Sequence, residues 1–188
     1  MSIPFSLQLL NALAALLLLL SFAMLSQRRI VTLVNLLAVQ GAVLCAATLL
    51  LAWRTGERHM YVSAALTLAL KVVFLPWLLH RLMRRLAVYW DTEPMLHISG
   101  TMMLGLLIVV FSFGLAQPIA ALASTATRNA VGIAVAVILL AFLSMITRRK
   151  AMSQVVGFLS MENGLFFGAM SATYGMPMVV ELGVALDV

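Results

Sequence analysis

Long apolar runs separated by short polar or basic connections dominate the pattern along this chain. A bilayer with about 30 Å of hydrocarbon needs roughly 20 helical residues to cross it, and most of the runs have that length. The pattern therefore predicts six complete membrane-spanning helices: about Pro4–Leu25, Ile30–Trp53, His59–Leu82, Leu96–Ala116, Asn129–Thr147 and Met152–Tyr174.

A seventh apolar run begins near Met176. Only about a dozen residues remain before Val188, fewer than a span requires, so we expect this helix to continue beyond Val188. The predicted fold is an all-α, polytopic transmembrane bundle of about seven helices, with residues 1–188 in a single domain.

Lysine and arginine are distributed unequally between the two sets of connections. One set contains eight of them: Arg28, Arg29, Arg81, Arg84, Arg85, Arg148, Arg149 and Lys150. The other contains three: Arg54, Arg58 and Arg128. Cytoplasmic connections of membrane proteins carry the excess of basic residues, so the first set is predicted to be cytoplasmic and the N-terminus to lie outside.

The composition agrees with a membrane protein and excludes several functional classes. Of the 188 residues, 64% are hydrophobic and 10% are charged, whereas a soluble domain averages about 45–50% apolar and 25% charged residues. The net charge of +6 comes from basic clusters between apolar runs, a distribution typical of topology signals rather than of nucleic-acid binding. Cys45 is the only cysteine, so this chain offers no iron–sulfur cluster of its own.

Three carboxylates and one lysine inside the predicted apolar runs are of particular interest: Lys71, Glu162, Glu181 and Asp187. A charge at the centre of a bilayer costs roughly 2.5–3.5 kcal/mol on insertion scales. Lys71 and Glu162 lie near the midpoints of the third and sixth spans, too deep for a lysine to reach the surface. Acid and amine groups at this depth are the parts of proton relays, so we take all four residues as candidates for a proton path.

Three neighbouring residues are predicted to support this path. Thr67 lies four positions before Lys71, on the same helix face. Pro76 removes a backbone hydrogen bond and predicts a kink close to Lys71, with room for water. Asn163 places an uncharged donor and acceptor next to Glu162.

The sixth predicted span also has a face of small residues. Gly157, Gly164 and Gly168 share one side, which favours close packing against another helix. Glu162 lies about 200° around the helix from Gly164, so it is expected to face a different neighbour. An alternative to the proton path is a structural pair, in which Glu162 and Lys71 only hold two helices together. Glu181 also has a second interpretation, as an acid at the membrane interface.

A short similarity within the chain suggests an internal repeat of two units, with a chance match as the alternative. A basic pair precedes both the second and the sixth spans, and Gln40 and Glu162 follow at comparable distances. The predicted units are residues 1–82 and 129–188, with residues 96–116 as a linking helix. The side chain of Gln40 does not ionise, so we assign it no relay role and expect it to be an interhelical hydrogen-bond partner.

Three segments of the chain carry a family resemblance. The sequence of residues 154–164, QVVGFLSMENG, followed by that of residues 180–187, VELGVALD, resembles component E of bacterial hydrogenase 4. Residues 70–76, LKVVFLP, resemble the lysine–proline helix of the same family. The resemblance covers most of the chain. It implies a non-catalytic membrane subunit of a formate hydrogenlyase-type, or related group 4, nickel–iron hydrogenase complex in the bacterial cytoplasmic (inner) membrane, with a periplasmic N-terminus.

The basic turn and the acidic sixth helix are also similar to the small K subunit of complex I and the C subunit of Mrp-type antiporters. In those relatives, intramembrane glutamates belong to a hydrated axis between the redox arm and the antiporter-like subunits. By this resemblance, Glu162 matches the glutamate of the K subunit's middle helix. Glu181 matches the glutamate of its last helix, although only 19 residues separate the two acids here.

The resemblance implies which cofactors and partners to expect. The nickel–iron centre and the iron–sulfur clusters belong to partner subunits, and this chain holds no cofactor or metal. The expected partners are antiporter-like membrane subunits and hydrogenase membrane-arm subunits, within the lipid bilayer and without nucleic acid. Two alternatives remain: a subunit of a multisubunit Mrp-type cation/proton antiporter, or a structural spacer between helical subunits.

Overall fold

The computed structural model describes residues 5–56, 58–86, 97–120 and 125–173, and every regular element in these ranges is helical. The elements are α1 (Phe5–Ser26), α2 (Ile30–Thr55), α3 (Arg58–Thr67), a π-helical segment (Leu68–Phe74), α4 (Leu75–Leu86), α5 (Ile98–Ala120), α6 (Thr125–Thr147) and α7 (Ala151–Thr173). For the described residues, the predicted all-α class is confirmed.

Five helical stretches in the described ranges have the length and composition needed to cross a membrane. They are Ser6–Ser26, Ile30–Arg54, Met60–Leu86, Ile98–Gln117 and Asn129–Thr147. The helix α7 also has 23 residues. It is not one of the five, and its sequence includes the polar residues Gln154, Glu162 and Asn163. The seventh predicted run, with Glu181 and Asp187, lies outside the described residues.

The helices extend further than the apolar pattern predicts. The third predicted span ends at Leu82, but α4 continues to Leu86. The predicted outer connection of residues 117–128 is also shorter in the structure, because α5 runs to Ala120 and α6 begins at Thr125. This connection is rich in alanine, the best helix former, so polarity alone placed the end of α5 too early and the start of α6 too late.

The end of α2 has a clear cause in the backbone. Gly56 adopts a left-handed conformation with φ of 71°, and its N–H donates to the carbonyl of Ala52 at 2.9 Å. Glycine reaches this conformation without strain and commonly terminates helices in this way. The turn reverses the chain, so α3 packs back against α2.

The centre of the bundle is formed by α1, α2, α6 and α7, which enclose two apolar clusters. The first cluster joins all four helices and includes Leu17, Leu44, Val137, Phe166 and Phe167. The second adds α4 to α1, α2 and α7 and includes Met24, Leu33, Leu79, Met83 and Met152. The helix α5 packs on α6 and α1 from outside and is mostly exposed. It therefore presents its apolar face to lipid or to another subunit.

Candidate functional site

Lys71 and Glu162 meet between the π segment and α7. The Nζ atom of Lys71 lies 2.8 Å from Oε1 of Glu162, and the two side chains are 11% and 10% exposed. The same Nζ donates a hydrogen bond to Oδ1 of Asn163 at 3.0 Å. Glu162 is the middle residue of α7, and Lys71 lies near the middle of the candidate span Met60–Leu86. The structure thus brings three predicted site residues together at mid-depth.

The hydrogen-bonded network continues across two further helices. Nδ2 of Asn163 donates to Oε1 of Gln40 in α2 at 3.2 Å, and Nε2 of Gln40 donates to Oγ of Ser21 in α1 at 3.1 Å. Oγ of Ser21 donates in turn to the carbonyl of Leu17 at 3.0 Å. A single polar chain therefore connects the π segment, α7, α2 and α1 through the apolar interior.

The direction of this chain follows from the chemistry of its first member. An ammonium group has three donors and no acceptor, so Asn163 must turn its oxygen toward Lys71. The amide nitrogen of Asn163 then faces Gln40, whose own amide is oriented in the same sense. Each donor consequently points away from the ion pair, and the chain ends at a backbone carbonyl that can only accept.

The backbone around Lys71 widens into a π helix. The N–H of Leu75 donates to the carbonyl of Leu70, five residues back, instead of the usual four. The segment ends just before Pro76, which has no N–H and disrupts a regular helix. The predicted local distortion near Lys71 is thus present as a π helix. Such helices are rare in proteins, and those that occur are often found at functional sites.

A glycine in α2 allows the π segment to approach closely. A Cβ atom on Gly41 would lie 3.2 Å from Cβ of Lys71 and 3.3 Å from its carbonyl oxygen. Both distances are shorter than ordinary van der Waals contact. The absence of a side chain at Gly41 therefore fixes how near the backbone of Lys71 can come to α2 and its Gln40.

An aromatic ring and a small cavity complete the surroundings of the ion pair. The ring centroid of the buried Phe166 lies 5.3 Å from Nζ of Lys71, within the range of a cation–π interaction. A cavity of about 10 Å³ adjoins Lys71, Glu162 and Asn163, and its other walls are leucine side chains. That volume is at the lower limit for one water molecule, which would find polar partners on this side.

The predicted glycine face of α7 packs against α6. A Cβ atom on Gly164 would meet Cγ1 of Val137 at 2.9 Å, and one on Gly168 would meet Cβ of Ala134 at 3.1 Å. Gly157 is similarly close to Met145. Since Glu162 contacts the π segment instead, the prediction that the two faces meet different neighbours is confirmed.

Of the remaining predicted site residues, Thr67 and Pro76 lie in the described part of the chain. Thr67 is 1% exposed and lies one turn before Lys71. Pro76 is buried in the first turn of α4, and its carbonyl accepts a hydrogen bond from Nδ1 of His80 at 2.7 Å. Glu181 and Asp187 lie outside the described residues.

Neither Gln40 nor Arg148 was assigned a site role from the sequence. The sequence predicted Gln40 as an interhelical partner, which its bonds to α7 and α1 confirm. Its link from Asn163 to Ser21 was not predicted, because it depends on how the helices are rotated. A polar residue at the centre of an apolar span is the signal that identified Gln40.

Arg148 was counted only as a topology signal, yet it is 7% exposed. Its Nη2 atom donates to the carbonyls of Met24 at 2.7 Å and Gln27 at 2.9 Å, and its Nε donates to Oγ of Ser144. The guanidinium thus adds a second hydrogen bond to the carbonyl of Met24, which also accepts from the N–H of Gln27, and binds the carbonyl of Gln27 just beyond the end of α1. Nothing in the local sequence distinguishes Arg148 from the neighbouring Arg149.

Comparison with known proteins identifies one clear relative. The chain is 37% identical over 163 residues to a protein of Mycobacterium tuberculosis described as uncharacterized protein Rv0085, and the aligned region covers 86% of this chain and 74% of that protein. No family model and no solved structure matches the chain.

Proposed function

We propose that this chain, which belongs to the same family as the mycobacterial protein Rv0085, is a non-catalytic membrane subunit of a complex I-like nickel–iron hydrogenase. In this role it contributes intramembrane charged residues to proton translocation or to its coupling with redox chemistry. The hydrogenase assignment rests on the resemblance of residues 154–164 and 70–76 to component E of hydrogenase 4. The proposed topology has about seven spans, with the N-terminus on the periplasmic side of the bacterial inner membrane.

The observation that supports a proton role most directly is the ion pair between Lys71 and Glu162 at mid-depth. Their charged atoms are 2.8 Å apart, and each group can bind or release a proton. A proton that arrives on Glu162 neutralises the carboxylate and leaves the ammonium group without its counter-ion. Release of a proton from Lys71 returns the net charge from +1 to zero. Transfer of the remaining proton from Glu162 to Lys71 then regenerates the ion pair.

The surroundings suit this cycle. The hydrogen bond that Lys71 donates to Oδ1 of Asn163 and the ring of Phe166 support the ammonium group when the carboxylate is neutral. The adjoining cavity of about 10 Å³ has room for at most one water, which would carry a proton to or from the pair. Glu181 and Asp187 are proposed as further stages of the path, on the strength of the sequence alone.

The test is Glu162→Gln in the assembled complex. Glutamine keeps an oxygen that accepts from Lys71 but cannot take up a proton. Redox-linked proton movement in inverted membrane vesicles should fall by roughly tenfold or more, since a positioned acid–base group speeds proton transfer by about 100-fold or more. Electron transfer to an artificial acceptor should continue. Glu93→Gln, outside the predicted spans, is the control and should leave proton movement unchanged.

Unchanged proton movement in an assembled Glu162→Gln complex would contradict the proposed role. The direct contact between Lys71 and Glu162 favours one other candidate, a structural spacer whose ion pair only holds the π segment against α7. The exchanged double variant Lys71→Glu, Glu162→Lys separates the two. A spacer would regain assembly and full function, whereas a proton path would regain assembly without proton movement.

The partners are tested by purifying the tagged full-length protein from its native membrane and identifying the subunits that accompany it. Nickel–iron and iron–sulfur subunits together with antiporter-like subunits would support the hydrogenase assignment. Antiporter subunits alone would replace it with a cation/proton antiporter, and in that case the Glu162→Gln experiment would be read out as gradient-driven exchange.

A further inference from the structure

The second half of α4 presents a basic face away from the bundle. Leu79 and Met83 are 4% and 2% exposed and pack into the apolar cluster shared with α2 and α7. This packing fixes the rotation of the helix. The outward face then consists of four exposed residues with the spacing i, i+4, i+7, i+8: Trp77, Arg81, Arg84 and Arg85.

These four residues and His80 line a pocket of about 400 Å³, a volume within the usual range for small-ligand sites. The guanidinium carbon of Arg81 lies 5.3 Å from the ring centroid of Trp77, so the aromatic ring helps to orient this arginine. In His80, Nδ1 must carry the proton because it faces the carbonyl of Pro76 at 2.7 Å. Nε2 is therefore the ring nitrogen that can contact a ligand.

The length of the helix places this pocket at the membrane surface. The continuous stretch Met60–Leu86 has 27 residues, which is roughly 40 Å at 1.5 Å per residue and about 10 Å more than the hydrocarbon thickness. About 20 residues counted from Met60 reach Leu79. The following turns, with His80 and the three arginines, then extend into the headgroup layer, and Trp77 lies close to its lower boundary.

The charge of the pocket has no counterpart in the described part of the chain. Glu162 is the single acidic residue in the described ranges, and it is paired with Lys71. A ligand for three guanidinium groups at this depth must be anionic, and arginine forks match phosphate oxygens in pairs. Below the pocket, the exposed side chains of Phe74 and Leu78 offer an apolar surface.

We propose that Trp77, His80, Arg81, Arg84 and Arg85 form a binding site for the headgroup of an anionic phospholipid. The arginines hold the phosphate, and the acyl chains lie along Phe74 and Leu78. Basic pockets at the ends of membrane helices bind acidic headgroups in this manner. The site is separate from the ion pair of Lys71 and Glu162, and the proposal does not depend on the proposed function.

The experiment uses the protein in phosphatidylcholine vesicles, with Trp53→Phe and Trp90→Phe so that Trp77 is the only tryptophan and can be excited selectively. Quenching of Trp77 is compared between brominated phosphatidylglycerol and brominated phosphatidylcholine. We expect the anionic lipid to be preferred at Trp77 by at least about fivefold, the effect of one arginine near an anionic surface. In the variant Arg81→Gln, Arg84→Gln, Arg85→Gln the preference should disappear.

The matched control removes three other exposed basic residues: Arg28→Gln, Arg54→Gln, Arg149→Gln. Both triple variants lower the net charge from +6 by three, so retention of the preference in the control excludes a general charge effect. Circular dichroism verifies that helix content is unchanged. The single variant Arg84→Gln provides the comparison at lower risk to folding and should weaken the preference.

Three results would overturn the proposal. Equal quenching by the two lipids in the unsubstituted protein would leave the basic face to an acidic partner subunit or to Asp91 and Glu93 of the following connection. An unaltered preference in the Arg81, Arg84, Arg85 variant would place the lipid elsewhere. Loss of the preference on adding inorganic phosphate, but not chloride at equal ionic strength, would identify a site for a small anion. Insensitivity to phosphate supports a lipid site.

Discussion

At the scale of single residues, Gln40 determines how far the charged pair influences the bundle. Its side chain has no exposed surface and bonds Asn163 on one side and Ser21 on the other. A side-chain amide accepts one hydrogen bond and donates another, but it does not gain or lose a proton near neutral pH. In the described part of the network, the titratable groups are therefore Lys71 and Glu162. The amides of Asn163 and Gln40 therefore add no proton-exchanging group, and Oδ1 of Asn163 holds the ammonium group in place.

Replacement of Gln40 by leucine should destabilise the protein through its neighbours. The amide nitrogen of Asn163 would lose its acceptor and Oγ of Ser21 would lose a donor, both in buried surroundings. We expect a loss of about 1 kcal/mol in the free energy of unfolding, as for other hydrogen bonds between membrane helices. The measurement is unfolding by titration with sodium dodecyl sulfate, followed by circular dichroism.

Asn35→Leu provides the comparison for this experiment on the same helix. Asn35 is exposed on the surface of α2, so leucine there places an apolar group against lipid and leaves the network intact. Its stability should be equal to that of the unsubstituted protein or greater. Equal losses in the two variants would mean that the bonds of Gln40 contribute nothing beyond the polarity of the residue.

At the scale of elements, α7 joins two different kinds of contact. One side carries glycines that allow α6 to approach at backbone distance, and the other carries Glu162 and Asn163, which bond the π segment and α2. The tight apolar contact fixes the rotation of α7 and so determines where the carboxylate points. The wider turn of the π segment presents Lys71 to that carboxylate, while Gly41 lets its backbone lie close to α2.

Gly164→Ala should disturb the contact between α6 and α7. The new Cβ atom would lie 2.9 Å from Cγ1 of Val137 and 3.2 Å from the backbone nitrogen of Ile138, so α6 itself would have to move. Overpacking of this kind costs about 1–3 kcal/mol, and thermal unfolding in detergent should report it. Gly114→Ala in α5 is the control, because its Cβ atom would meet nothing within 4 Å. If both variants unfold at the same temperature, the glycine face does not set the spacing of the two helices.

At the scale of the whole molecule, the apolar pattern was sufficient for the helical class and for most of the helix bounds. Hydropathy specifies which residues belong in lipid, and helix period specifies which residues share a face, so the start of α2 at Ile30, the end of α6 at Thr147 and the glycine face of α7 agree with the structure. Contacts between helices require their relative rotation and depth, which one sequence does not contain. For that reason the bond of Gln40 to Ser21 and the burial of Arg148 were not predicted, although each residue was identified as polar or basic.

The orientation of the bundle remains a prediction from the distribution of basic residues, and labelling of single cysteines tests it. Cys45 is buried and would be replaced by alanine, after which Gln27→Cys and Ser124→Cys each provide one thiol. Gln27 lies in the connection before α2, next to the basic pair Arg28 and Arg29, whereas Ser124 belongs to the opposite set of connections. With the N-terminus outside, a membrane-impermeant maleimide should label the thiol at position 124 in intact cells and the thiol at position 27 only after permeabilisation. The reverse pattern would place the basic end of α4, and with it the proposed lipid site, in the outer leaflet. That outcome would require another explanation for the eight basic residues in one set of connections, because the positive-inside rule would then be violated.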